Sequence, residues 1–199
     1  MKKINLFNST GLKTSHFLTV FFLSTSLIFT SCSGDDDDDV LPEEVNDEEV
    51  ITTLTVTLSP SGGGTAITMQ SQDLDGDGPN PPVVSVSGNL ASGTTYSGSI
   101  VLLNETESPA EDITEEVEEE SDEHQFFYVA AGGLDVTVEA TNSDSSGNPL
   151  GTKFSLVAGS QSNGTLTFTL RHEPTKPNSG LADAGGETDI EVTFNVSIQ

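Results

Sequence analysis

From Thr53 to Ile198, apolar residues return at every second position in short runs, and clusters of Gly, Pro, Asn, Asp and Ser separate the runs. A period of two puts the apolar side chains of a run on one face of an extended strand, whereas a helix needs a period of 3.6. Leu54, Val56 and Leu58 point one way and Thr53, Thr55 and Thr57 the other. After the Ser59–Gly64 turn, Ile67 and Met69 mark a second strand. Val84 and Val86 mark a third, and Tyr96, Ile100 and Leu102 a fourth, beyond a turn at Gly88–Gly93. His124, Phe126, Tyr128 and Ala130 alternate with Gln125, Phe127 and Val129, so both faces are largely apolar and a central strand is expected. Leu134, Val136 and Val138 follow Gly132–Gly133. The polar loop Asn142–Gly151 precedes a strand at Phe154 and Leu156. Leu166, Phe168 and Leu170 form another, backed by Thr165, Thr167, Thr169 and Arg171. Ile190, Val192, Phe194, Val196 and Ile198 close the chain. About nine short strands spaced by turns predict an all-β fold, an antiparallel β-sandwich of immunoglobulin-like or jelly-roll-like type.

One stretch breaks the period. Ser108, Pro109, Ala110 and Glu111 have the residue types of a helix start, with a capping hydroxyl, Pro at the first helical position and an acid where a capping box places one. Ile113 and Val117, four apart, share a face. A helix of two or three turns over 109–120 is expected, with a mobile loop as the alternative, because Glu115, Glu116 and Glu118 to Glu120 repel one another.

The N-terminal segment obeys different rules. Lys2, Lys3 and Lys13 flank an apolar segment, Phe17 to Phe29, whose 13 residues are too few for a helix to span about 30 Å of hydrocarbon. The arrangement fits a signal peptide over 1–31. Cys32, the only cysteine, follows Thr30 and Ser31, so no intramolecular disulfide is available. The segment resembles the lipobox of bacterial lipoproteins, in a relaxed form with Phe29 where Leu is usual. This resemblance implies acylation of Cys32 as the new first residue. Several acyl chains anchor stably where one alone is marginal. Asp35 to Asp39 and the acids from Glu43 to Glu49 repel and extend, so 32–49 reads as a lipidated cysteine with an acidic, disordered tether, and 50–199 as the folded domain. The placement of the aspartates is similar to the export signal of Bacteroidota lipoproteins, which implies the outer membrane with the domain facing the exterior.

Charge narrows the partners. Beyond residue 31 only Lys153, Arg171 and Lys176 stand against 32 acids, a net charge near −29. Phosphate backbones are held by clustered Lys and Arg, so nucleic acid is excluded, and cations or a basic protein are favoured. From Glu105 to Glu123 there are 11 acids in 19 residues, a solvated face or a dock for a basic partner.

Two constellations suit metal ions. Asp73, Asp75 and Asp77 alternate, with Gly76 and Gly78 between and after them, as in the first half of a calcium loop; the twelfth position, where a carboxylate is expected, is Val84. The other reading is a solvated turn. His124 and His172 each end a strand in phase with its apolar face, and Glu173 follows the second. Imidazole with carboxylate suits zinc or copper, provided the two strands are neighbours. The pair otherwise reads as packed strand-end histidines. No nucleophile elbow, HExxH or phosphate loop occurs, and an enzyme is not expected.

The polyaspartate start, the Asp73–Gly78 loop, Leu103-Asn104-Glu105, Ser108-Pro109-Ala110-Glu111, His124-Gln125-Phe126-Phe127-Tyr128, Leu170-Arg171-His172-Glu173-Pro174 and Gly185-Gly186-Glu187-Thr188 together resemble small flavobacterial lipoproteins. That family is catalogued as a type 1 periplasmic binding fold superfamily. The resemblance implies lipoprotein character and brings no catalytic residues. Its label names two α/β lobes, for which this chain has neither the βαβ alternation nor the length, so the sandwich remains the expected fold. The function expected is a non-enzymatic binding or accessory module at the outer membrane that captures an ion or solute and hands it to a TonB-dependent receptor. A structural or adhesion role is the second expectation and a glycan hydrolase the third. Intact-mass measurement of the purified protein is expected to find Cys32 at the N-terminus carrying acyl chains; a bare thiol there would remove the lipoprotein reading.

Overall fold

The computed structural model describes residues 49–76 and 78–199. Residues 1–31, expected as a signal peptide, Cys32 and most of the expected acidic tether lie outside the described residues, as does Asp77. The elements, in chain order, are β1 (Thr53–Pro60), β2 (Ile67–Gln72), β3 (Val83–Val86), β4 (Thr95–Asn104), β5 (Glu111–Asp112), α1 (Ile113–Glu119), β6 (His124–Ala131), β7 (Val136–Ala140), β8 (Lys153–Ala158), β9 (Ser162–His172), α2 (Leu181–Ala184) and β10 (Glu187–Ile198). The strands form two antiparallel sheets. One runs β3-β2-β1-β4-β8-β7, with the short β5 added against β4; the other runs β10-β9-β6. The all-β sandwich read from the alternation is the observed fold.

The inward stripes meet in register. Val56 of β1 faces Met69 of β2 and Ile100 of β4, and Leu54 faces Leu102. Across the sandwich, Leu166, Phe168 and Leu170 of β9 and Phe194 of β10 have no solvent exposure. The sheets are joined through aromatic rings. Phe154 of β8 lies 5.8 Å from Phe168, Tyr128 of β6 bridges them at 5.0 and 5.6 Å, and Phe194 meets Phe168 edge-on at 5.9 Å. Gly98 sits opposite Phe154 on the neighbouring strand, and any side chain there would collide with the Phe154 ring.

Two sequence expectations need correction. The strand at 124–131 is not central. It is the edge of the three-stranded sheet, and β9 holds the middle. On its second face loops cover Gln125 and Phe127, which line a small cleft with Asn148, Pro149, Pro177 and Asn178, while Val129 further along is 42% exposed. Leu150 accepts a hydrogen bond from the Phe126 amide at 2.7 Å and so occupies part of the open edge. A loop covers an apolar face as well as a sheet does, which alternation cannot reveal. The helix, for its part, starts four residues after the expected position. Asp112, not Ser108, is the cap, and its carboxylate accepts from the Thr114 amide at 3.0 Å. Glu111 pairs with β4 instead of opening the helix, and Asp112 both pairs with β4 and caps. Ile113 and Val117 do share the buried face.

Truncating Phe168 to Ala is expected to cost about 3–5 kcal/mol, the loss of a buried aromatic together with the cavity it leaves. Val83→Ala, at the exposed edge strand β3, should stay within about 0.5 kcal/mol. Chemical denaturation of the two variants measures the contrast.

Candidate metal centre

At one end of the sandwich the apolar stripe gives way to imidazole. His124 opens β6, His172 closes β9, and the two are direct cross-strand partners. Each continues the inward phase of its strand, after Phe168 and Leu170 in β9 and before Phe126 in β6. The rings therefore stack inside, with centroids 4.8 Å apart, and their side chains are 0% and 6% exposed. His124 is held on two sides. Its Nδ1 lies 3.2 Å from the Glu120 carbonyl, which can only accept, so Nδ1 carries the proton and donates. Its own carbonyl accepts from Lys176 Nζ at 2.6 Å, and the same ammonium donates to the Ser121 carbonyl at 2.6 Å. Burial pushes the Lys176 pKa down, only partly opposed by Asp144.

Asp189 comes from β10 against the strand's parity. Val192, Phe194, Val196 and Ile198 face inward, so the odd positions Glu191 and Thr193 face out, and Asp189 should too. A β-bulge between Thr188 and Ile190 inserts one extra residue, and the Asp189 side chain ends with no solvent exposure. The bulge is braced. The Arg171 guanidinium donates to the carbonyls of Gly185 at 2.9 Å and Gly186 at 2.7 Å, and to the Thr188 hydroxyl. Gly186, at φ 68°, lies against the His172 carbonyl where no Cβ fits.

The fourth group is Glu49, in the extended lead before β1. Its Oε1 stands 2.6 Å from His124 Nε2 and its Oε2 3.5 Å from His172 Nδ1, and its side chain is only 3% exposed. Asp189 Oδ1 is 3.6 Å from His172 Nδ1 and Oδ2 is 3.9 Å from His124 Nε2. One ligand atom from each of the four residues lies within 4.8 Å of all the others. This buried Glu/His/Asp cluster can hold a metal ion.

The electrostatics agree with that capacity. Among the described residues no N–H or O–H group donates to either Asp189 oxygen, although both are buried. Burial, and then the charge of Glu49, push the Asp189 carboxyl up to about 7. Burial alone would lower the His124 pKa, but the contact with Glu49 outweighs it and the net shift is upward. For Glu49 burial works upward too, and His124 overturns it, leaving the carboxyl below its ordinary range. Two carboxylates and two neutral imidazoles carry −2, which a divalent cation cancels inside a space that tolerates little net charge.

The expected pair His124 and His172 is thus brought together. Glu173 is not with them in this cluster. It is exposed, with φ 48°, and forms a second grouping with Glu123 and His172. Glu49 and Asp189 escaped sequence reading. Glu49 sits in a charge run, where one acid cannot be told from its neighbours, and Asp189 has the outward parity that only the bulge reverses. At the Asp73–Gly78 turn, exposed Asp75 accepts from the Asn80 amide and side chain at 3.4 and 2.7 Å, which lowers its pKa, while Oδ1 of Asp73 is buried without a partner. With Asp77 outside the described residues, no three-carboxylate calcium set is assembled among the described residues. Within the acidic run, Glu118 pairs with Lys153 at 2.9 Å on the surface. No helix among the described residues is long and apolar enough to cross a membrane. Comparison with protein-family models, with curated proteins and with solved structures finds no match to this chain.

In metal-free protein the raised groups set the pH response. Asp189 holds a proton more tightly folded than unfolded, so its contribution is full below about pH 4 and is lost as pH rises through about 7. His124 acts in the same direction: its contribution is full below its ordinary value of 6.5 and is lost above its raised pKa. Glu49, lowered from 4.5, opposes them only in acid. The melting temperature measured in chelator should therefore fall from pH 5 to pH 8. Asp189→Asn, which cannot ionise, should flatten that fall.

Proposed function

We propose that the chain is a non-enzymatic, metal-binding lipoprotein of the cell envelope, holding one divalent first-row transition ion, zinc above others, on Glu49, His124, His172 and Asp189. The observation that carries the reading is the buried Asp189 carboxylate, without a hydrogen-bond donor among the described residues, facing two imidazole nitrogens and a second carboxylate. Such a group is costly to bury unless a cation shares the space.

The donor set favours zinc. Two nitrogens and two carboxylate oxygens suit a borderline ion without a directional d-electron preference, and four protein ligands match the closed coordination of a structural zinc. Calcium wants six to eight oxygens and fits this cluster poorly. The Glu120 carbonyl that takes the His124 Nδ1 proton leaves Nε2 free to ligate, the usual outer-shell arrangement around a metal-bound histidine. Four protein ligands leave no open position for substrate, which supports binding over catalysis. The lipobox-like segment at Cys32 and the resemblance to flavobacterial lipoproteins support anchoring at the outer membrane with the domain outward. The acidic surface, with a net charge near −29 beyond residue 31, favours a basic protein or the mouth of a TonB-dependent receptor as the neighbour.

Elemental analysis and calorimetry on the full chain purified in detergent should find one equivalent of zinc. Zinc at about 100 times its Kd should add about 2.7 kcal/mol to stability. His124→Ala and His172→Ala should each abolish that gain. Failure to bind zinc, copper, manganese or iron at micromolar concentration would overturn the proposal.

A further inference from the structure

The four ligands are not held alike. His124, His172 and Asp189 belong to strands of one sheet, β10-β9-β6, and their spacing is fixed by register, by the Arg171 brace and by Lys176. Glu49 belongs to no strand. It lies in a short extended lead to β1, which is part of the other sheet. Its neighbour Val50 is 58% exposed. Among the described residues, backbone hydrogen bonds to this lead begin at Thr52, whose amide donates to Leu103 at 2.9 Å and whose carbonyl accepts from Asp73 at 2.7 Å. Ahead of that point the anchors are half-buried Ile51 and the Glu49 carboxylate against the two imidazoles. A cleft of about 360 Å³ runs beside the lead, lined by Ile51, Thr52, Asp73, Pro82, Asp189 and Glu191.

We infer that Glu49 is a detachable fourth ligand, so that ion binding clasps the chain lead before β1 onto the β10-β9-β6 sheet. The inference rests on the metal reading given above and adds a device to it. Three ligands are preorganised by strands and form a standing half-site. The fourth closes over the ion, and in closing it ties the first sheet's lead to the second sheet. Without the ion the lead is held by half-buried Ile51 and by the Glu49 contact with His124 at 2.6 Å, and release of Glu49 to water costs the fold least of the four because no ladder hydrogen bond depends on it.

Hydrogen exchange read by mass spectrometry, together with zinc transfer to a chelator, tests this on the full chain in detergent. Adding zinc to the metal-free wild type should slow exchange of the peptide covering 49–54 by roughly tenfold or more, while the centre of β9 changes little. In Glu49→Gln and Glu49→Ala, both checked for an unchanged strand spectrum, zinc should still bind at one equivalent, at least about tenfold more weakly and with faster transfer, and the lead should stay unprotected. If zinc binds the wild type at one equivalent yet leaves exchange at 49–54 unchanged, or if both variants hold it as tightly as wild type, the clasp is wrong and the metal reading stands. If the wild type binds no zinc, the metal reading itself fails and the clasp goes with it.

Discussion

Two carboxylates buried beside two imidazoles set a condition that the end of the sandwich must meet. Charge withdrawn from water has to be cancelled nearby, and the only candidates are protons or a metal cation. Protons serve in acid, where Asp189 stays neutral and His124 is charged against Glu49. On the proposed metal reading a divalent ion would serve at neutral and higher pH, because it would cancel both carboxylates at once. Proton and metal would then compete for the same four groups, and the domain's stability would be tied to which of them is present.

The rest of the fold reads as the frame for that condition. Interlocked Phe154, Phe168, Phe194 and Tyr128 join the two sheets and leave no freedom in the pairing of β6 with β9. That pairing sets His124 opposite His172. Polar groups then fix the remaining freedom. Two of the three cations beyond residue 31 are spent here: Arg171 braces the β10 bulge and Lys176 grips the backbone of His124. In so acidic a chain, placing scarce cations on the backbone around an anionic cluster, and not on its carboxylates, leaves the cluster's charge for something else to neutralise.

The acidic surface works at a longer range. Surface carboxylates attract cations collectively and weakly, and salt screens them. On the proposed metal reading the selective step would belong to the buried cluster, where imidazole nitrogens favour a transition ion over the abundant hard cations.

The strand period was enough to determine the sandwich and its inward stripes, because burial of alternate side chains is a local property repeated along each strand, and the four-residue spacing of Ile113 and Val117 marked the buried face of α1. It also placed His124 and His172 on the inward face. It misplaced β6, because a covering loop and a covering strand bury a residue equally well, and it misplaced the helix cap, because β4 recruited Glu111 and Asp112. Glu49 and Asp189 joined the cluster only in three dimensions. One joins the cluster because the lead to β1 passes the end of the other sheet; the other joins because a single inserted residue turns its side chain inward. Neither event leaves a mark in residue type or spacing, since register and chain crossing are settled by the packing of the whole core.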